Sequence, residues 1–535
     1  MHIQHRHLVR LLPILFVAIL LASCGGSAQQ AFSTINSGLN PGGAPIAPQP
    51  MEARRPVAAP TSVPAAPMTS AEAQQDVAVE PSTPSGPPRP VAVNPITRAS
   101  DDHLSTFAID VDTAAYTAAR NYLNNGQLPP PDAVRVEEFV NYFRYDYPAP
   151  QSGAFGIYIE SAPSPFGQPG AQVVRVGIQG QRIDSGQRAD GVLTFVIDIS
   201  GSMAQPNRLP LVKQSLRLLV DELRESDQVA IVVYGDQAVT VLDHTSAANR
   251  DQILRAIDAL ENQGSTNAEA GLQMAYELAA RHFKPGASNR IILCSDGVAN
   301  VGATGPDEIR KTIRDYTAQG IYLTTVGFGM GDYNDYLMEQ LADDGNGNYA
   351  YVDTQEAARR IFVENLTGTL QVIAKDAKIQ VDFNPAVVDS YRLLGYENRD
   401  VADVDFRNDR VDAGEVGAGH SVTALYEVVP TGQGRGTALT VRVRYAAPLG
   451  GEVREIEQAF NTDEFGTQFA AAAPRLQLAV AVADFAEQLR GSAYAQNHSL
   501  ADVLEIARRI APQLANDADV QEFVALVERA KSLRG

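Results

Sequence analysis

Two cysteines in 535 residues, Cys24 and Cys294, exclude a disulfide-stapled secreted scaffold. Positive charge is scarce as well. Lys and Arg number 43 against 63 Asp and Glu, a formal net charge of −20, the wrong sign for a chain whose main task is to hold a phosphate backbone. Nucleic acid is therefore not an expected partner. No phosphate-binding glycine loop occurs, since Gly327-Phe328-Gly329-Met330-Gly331 lacks the lysine and the spacing and reads as a turn. His244, His282, His420 and His498 lack the spacing of a zinc site or a catalytic pair. Cys294 lies within an apolar run and reads as a buried structural thiol. What is present is apolar material: 44% of the residues are hydrophobic, enough for real cores, and 535 residues suggest about three or four domain-sized units.

The amino-terminal hundred residues differ from the rest. Arg6 and Arg10 precede the apolar stretch Leu11 to Ala22, which is too short for a durable membrane span and reads as a secretory signal over 1–23. Its ending, Leu21-Ala22-Ser23-Cys24, resembles the bacterial lipobox. That resemblance implies a lipid-modified Cys24 and a protein of the bacterial cell envelope, held to a membrane and facing the extracytoplasmic side. More than one acyl chain is needed for stable anchoring, because each buried methylene contributes about 0.8 kcal/mol. Of the 32 prolines, 14 fall between Gly25 and Ser100, so the region 24–100 reads as a disordered Pro/Ala/Gly-rich tether that cannot offset its own ordering entropy. Residues 1–23 carry two positive charges and 25–100 four of each sign, so a net charge of −22 falls on 101–535. The acidity belongs to the head, not the tether.

From Gly191 onward short apolar runs alternate with amphipathic stretches. Val192 to Ile197, Val229 to Tyr234, Ile291 to Cys294 and Ile321 to Val326 read as strands covered on both faces. Leu209 to Leu223, Ala268 to Phe283 and Pro306 to Ala318 read as helices between them, so the spacing predicts an α/β fold with a doubly wound, mostly parallel sheet. Such sheets bind ligands at the carboxyl ends of their strands. There the first run ends in Asp198-Ile199-Ser200-Gly201-Ser202, the loop before the Ala268 helix offers Thr266, and the run through Cys294 leads to Asp296. A hard divalent cation takes about six oxygens, so carboxylates and hydroxyls from three loops on one rim form a partial cage.

Asp198-Ile199-Ser200-Gly201-Ser202, Thr266 and Asp296 resemble the metal-ion-dependent adhesion site of von Willebrand factor type A domains, and the resemblance covers about Gly191 to Leu370. It implies that Ser200, Ser202 and Thr266 supply hydroxyl ligands, that Asp198 and Asp296 act directly or through water, and that the ion is Mg²⁺ first, with Mn²⁺ or Ca²⁺ as alternatives. It further implies a site one ligand short, completed by an acidic residue of a protein partner. The last helix, Thr354 to Leu370, shifts on ligand binding in some relatives.

The flanks, 101–185 and 371–535 around a domain at 186–370, are similar to those of bacterial lipoproteins carrying this domain. Phe155 to Glu160, Val173 to Gln179, Lys378 to Phe383, Ser421 to Val428 and Ala438 to Tyr445 alternate like strands, which predicts one antiparallel sandwich into which the central domain is inserted. Phe469 to Leu533 turns helical, with a capping box at Ser499-Leu500-Ala501-Asp502. Asp110 and Asp112 fit packing and capping of the helix that follows, or a second cation site. They are also similar to the nucleophile motif of haloacid dehalogenase-type phosphatases, with Asp343-Asp344 as the distant acidic pair. The leading expectation is a non-enzymatic, membrane-anchored binding protein that captures a partner's carboxylate through a cation. A structural assembly factor of an envelope complex and the phosphatase are the alternatives.

Overall fold

The computed structural model describes residues 93–109, 111–297, 306–329, 335–411, 413–448 and 451–535. The expected secretory signal, Cys24, Asp110 and the tether up to residue 92 lie outside them, whereas 93–100, expected to be the disordered end of the tether, belong to the fold: Thr97 and Arg98 pair antiparallel with Tyr391 and Ser390, and Ala99 is buried. Ahead of the central domain come β1 (Thr97–Arg98), β2 (Leu104–Ala108), α1 (Ala114–Asn124), α2 (Val136–Tyr142), β3 (Phe155–Pro163) and β4 (Gln172–Gly180). The central domain contains β5 (Gly191–Asp198), α3 (Leu209–Glu222), β6 (Gln228–Tyr234), β7 (Ala238–Ser246), α4 (Arg250–Asp258), α5 (Ala268–Arg281), β8 (Ser288–Ser295), α6 (Pro306–Thr317), β9 (Ile321–Phe328), α7 (Asp335–Asp344), β10 (Tyr349–Val352), α8 (Gln355–Arg359) and α9 (Leu366–Leu370). Then follow β11 (Val372–Phe383), β12 (Val388–Leu394), β13 (Val416–Gly417), β14 (Ser421–Pro430), β15 (Thr437–Ala446), β16 (Val453–Asn461), α10 (Pro474–Leu489), α11 (Leu500–Ile510) and α12 (Ala518–Arg534).

The central sheet runs β10-β9-β8-β5-β6-β7, parallel throughout except for the β6/β7 pair. Each middle strand is apolar on both faces because each face has its own core. Phe195 and Ile197 pack with Val212, Leu216 and Leu219 of α3, while Val196 packs with Leu272 and Tyr276 of α5 and Ile313 of α6. The expected α/β architecture is present. Edge strand β7 escaped the sequence reading because Val239 and Val241 face water, which removes the continuous apolar run.

The sandwich expectation is met in register. Segment 172–179 of β4 pairs antiparallel with 421–428 of β14, in a sheet ordered β1-β12-β14-β4-β3. The facing sheet runs β13-β11-β15-β16, with β2 also paired to β11. Val174, Val176 and Tyr426 meet Ile379, Val381 and Val443 between the sheets. On the outer face of the first sheet, Val173 and Leu425 join Tyr116, Phe139, Phe485 and Phe523 from helices at both ends of the chain. The stretches 101–185 and 371–535 therefore build a single body. Among the described residues no helix is long and apolar enough to cross a membrane.

The central domain leaves and rejoins this body at adjacent points: Gly419 N donates to Gln181 O and Ala418 N to Gln371 O, each at 2.8 Å. Arg120 on α1 adds a brace through a fork onto Asp353 after β10, at 2.5 and 2.9 Å. The helix expected over Thr354 to Leu370 is broken. Asn365 N donates to Arg360 O, an i to i+5 turn that separates α8 from α9. Phe362, Leu366 and Leu370 face the central core while Arg360 is turned onto the Tyr142 ring and Asp519, so one side of this stretch answers to each body. Wide turns of this kind let a helix change face.

Candidate metal centre

Asp198 is the last residue of β5, fully buried, at the carboxyl end of the parallel sheet. The chain must turn there, and Asp198 pins the turn: its Oδ1 accepts from Ser200 N at 2.8 Å and its Oδ2 from Ser295 Oγ at 3.2 Å. The Ser200 and Ser202 hydroxyls lie 3.0 Å apart. Backbone bonds draw in the second loop, with Gln263 N on Ile199 O at 2.6 Å and Gly201 N on Gly264 O at 3.1 Å, and Asn262 Nδ2 adds a bond to Ser200 O at 3.1 Å. Asp236 fixes the next residue by accepting from Ser265 N at 2.8 Å and Oγ at 2.7 Å. Gly264 is required here, with φ at +79° and a would-be Cβ 2.7 Å from Asp236 Oδ2. Thr266 follows, half-buried, just before α5, whose first turn is capped by Asn267.

The third loop brings Asp296, buried one residue beyond β8, close enough for its charge to act on Asp198. Burial first, and the Asp296 charge in addition, push Asp198 up to about 6 against the bonds from Ser200 and Ser295. No lysine or arginine pairs with Asp198 among the described residues, whereas Arg208 Nη1 donates to Asp296 Oδ2 at 2.5 Å. A buried carboxylate beside a second one, with no protein cation of its own, is costly unless a positive charge comes from elsewhere. All five expected residues therefore stand on three hydrogen-bonded or charge-coupled loops at one end of the sheet. Among the described residues no group of three or more His, Cys, Asp or Glu side chains is placed to hold a metal ion. The donor set here is two carboxylates with hydroxyls, the hard-oxygen chemistry that suits Mg²⁺ rather than zinc.

Arg208 and Ser295 were not singled out from sequence. Arg208 had one signal, because an arginine immediately before a helix opposes the helix dipole and needs another reason to be there. Asp112 does not cap α1. It accepts from Tyr349 N at 2.9 Å, and Glu138 Oε2 takes the first-turn amide of Ala115 at 2.7 Å instead. Asp343 and Asp344 sit at the opposite pole of the sheet from the strand-end loops, Asp344 paired with Arg314 and Asp343 with Arg399, whose guanidinium also reaches Asp112 Oδ2 at 3.4 Å, so Asp112 and Asp343 share one arginine while Asp110 lies outside the described residues. Cys294 is buried, and burial pushes its thiol up, as expected of a structural residue.

An inserted α/β domain with this loop set defines a von Willebrand factor type A domain protein, and the family model of that description matches residues 193–366. A second model, described as von Willebrand factor, matches 89–175, and one described as Uncharacterized protein YfbK, C-terminal, matches 368–438 and 434–533. The chain belongs to the family of YfbK from Escherichia coli (strain K12), to which it is 37% identical over 468 residues, 82% of this chain and 80% of that protein. It is also 29% identical over 181 residues to the human inter-alpha-trypsin inhibitor heavy chain H3, a match covering 32% of this chain and 19% of the heavy chain. Among solved structures, a von Willebrand factor type A protein from Catenulispora acidiphila is similar at 16% identity and a TM-score of 0.42, over 71% of this chain and 90% of that one.

Proposed function

We propose that this protein is a surface binding protein of the bacterial cell envelope, anchored through lipid on Cys24, whose central domain captures an acidic residue of a protein partner through a divalent cation. Ser200, Ser202 and Thr266 would hold the ion by their hydroxyls, with Asp198 and Asp296 directly or through water. Mg²⁺ is the first choice, and Mn²⁺ or Ca²⁺ suit the same oxygens. When bound, the ion supplies a local positive charge on a strongly acidic molecule, which lets an anionic group approach. The observation that carries this reading is the buried Asp198 carboxylate, beside Asp296 and without a basic partner of its own. The role is binding rather than catalysis. The anchor rests on the lipobox-like sequence.

Calorimetric titration of the full chain with Mg²⁺ and Mn²⁺, beside an Asp198→Ala variant, tests the site. Loss of affinity by at least about a hundredfold in the variant is expected, from removal of one of two carboxylates facing a divalent ion. Equal affinity in the two proteins would remove the reading.

A further inference from the structure

Arg208 touches the candidate site from behind. Its Nη1 donates to Asp296 Oδ2 at 2.5 Å and to the Ser202 carbonyl at 2.8 Å, so one guanidinium reaches two of the three loops. The side chain is 5% exposed. Room for it is built in just after β9, where Gly329 has φ at +72° and a Cβ would stand 2.3 Å from Arg208 Cγ. A permanent positive charge has thus been buried against a carboxylate expected to serve a metal ion, at a helix start that disfavours it.

The charge has two opposed effects. Asp198, Asp296 and Arg208 together carry a formal −1, which a divalent ion turns into +1; without the arginine the loaded site would be neutral. Repulsion between the guanidinium and the ion, together with its hold on Asp296, weakens cation binding. The positive charge left over strengthens the pull on an incoming carboxylate, most of all in a buried setting where screening is poor. We propose that Arg208 is a positioning residue that restrains Asp296 and sets the charge of the site, trading affinity for the cation against affinity for the partner's carboxylate. This rests on the metal-site reading above and adds a residue that the adhesion-site motif does not contain.

The test is calorimetry of the full chain with Mg²⁺ for the wild type, Arg208→Gln and Arg208→Lys, with near-UV circular dichroism recorded to confirm the fold. Removal of the charge should tighten Mg²⁺ binding by about tenfold or more in Arg208→Gln. Arg208→Lys keeps the charge and should stay within about threefold of the wild type. Acetate, as a carboxylate probe, should bind the Mg²⁺-saturated Arg208→Gln protein more weakly than the saturated wild type. A purely structural arginine predicts the reverse, weaker Mg²⁺ binding in both variants. Equal or weaker Mg²⁺ binding by folded Arg208→Gln overturns the proposal while leaving the metal site standing. If Arg208→Gln does not fold, a tenfold loss in Arg208→Lys overturns it and retained affinity supports it. Absence of Mg²⁺ binding in the wild type and every variant defeats the metal-site reading, and this proposal with it.

Discussion

The passage into the central domain hangs on Asp227, and removing its carboxylate is expected to destabilise that domain by about 3–5 kcal/mol, the usual cost of breaking a buried ion pair. Asp227 accepts from Arg188 Nη1 at 2.9 Å and Nη2 at 2.5 Å, from Gly191 N at 2.7 Å and from Arg224 N at 2.7 Å. Both side chains of the pair are at most 1% exposed. Burial alone would raise the Asp227 carboxyl, yet the Arg188 fork and the two amides hold it below its ordinary range. Asp227→Ala would leave a guanidinium buried without its counter-ion and two amides without an acceptor. For a domain of this size 1 kcal/mol is about 2–4 °C, so the melting temperature should fall by about 10 °C. In the pair Arg188→Met, Asp227→Leu, both charges are gone and only the amides stay unsatisfied, so about half the loss should return. Urea unfolding followed by far-UV circular dichroism reads both. A loss below about 1 kcal/mol in Asp227→Ala, or a double variant no more stable than the single one, would refute the reasoning.

Acid should weaken the fold through His420. Burial, with Arg290 alongside, pulls its imidazole down to about 4, below the unfolded value near 6.5, so its contribution is complete above pH 6.5 and drains as pH falls toward 4. The loss is about 3 kcal/mol over that window. The drop in urea stability between pH 7 and 4.5 should therefore be smaller in His420→Asn than in the wild type, and equal drops would argue against it. Gly329→Ala should unfold at lower temperature by several degrees and shift Mg²⁺ affinity, because it strains a positive φ and displaces the Arg208 stem. Ser499→Ala removes one half of the capping box on α11, where Ser499 and Asp502 bond reciprocally, and should cost about 1 kcal/mol by chemical denaturation.

The parts of this molecule that could be read from the chain are those whose cause is local. β5, β6, β8 and β9 are apolar end to end because they are covered twice, and Asp198, Ser200 and Ser202 fall within five residues of one another. β16 is harder to see, since Arg454, Glu455, Glu457 and Gln458 face water and only Phe460 is fully buried. Arg208 is silent for a different reason. Its partner Asp296 is 88 residues away, and only the folded sheet brings the two loops together. The break between α8 and α9 likewise depends on Tyr142 and Asp519, which lie far off on either side in sequence.

The neighbouring entry and exit of the central domain, at Gln181 and Gln371, set how the molecule carries a load. A pull on the strand-end rim leaves the domain through two covalent crossings side by side, one into β4 and one into β11, which belong to different sheets of the sandwich. Both strands are bonded along their length to neighbours, β4 to β14 and β11 to β15, so the force is spread over many bonds in shear rather than peeled from one end. Arg120 and Arg360 act as stays that keep the domain from swinging about those two crossings. A domain joined in this way passes a pull into both sheets, where one hung from a single linker would pass it into one strand.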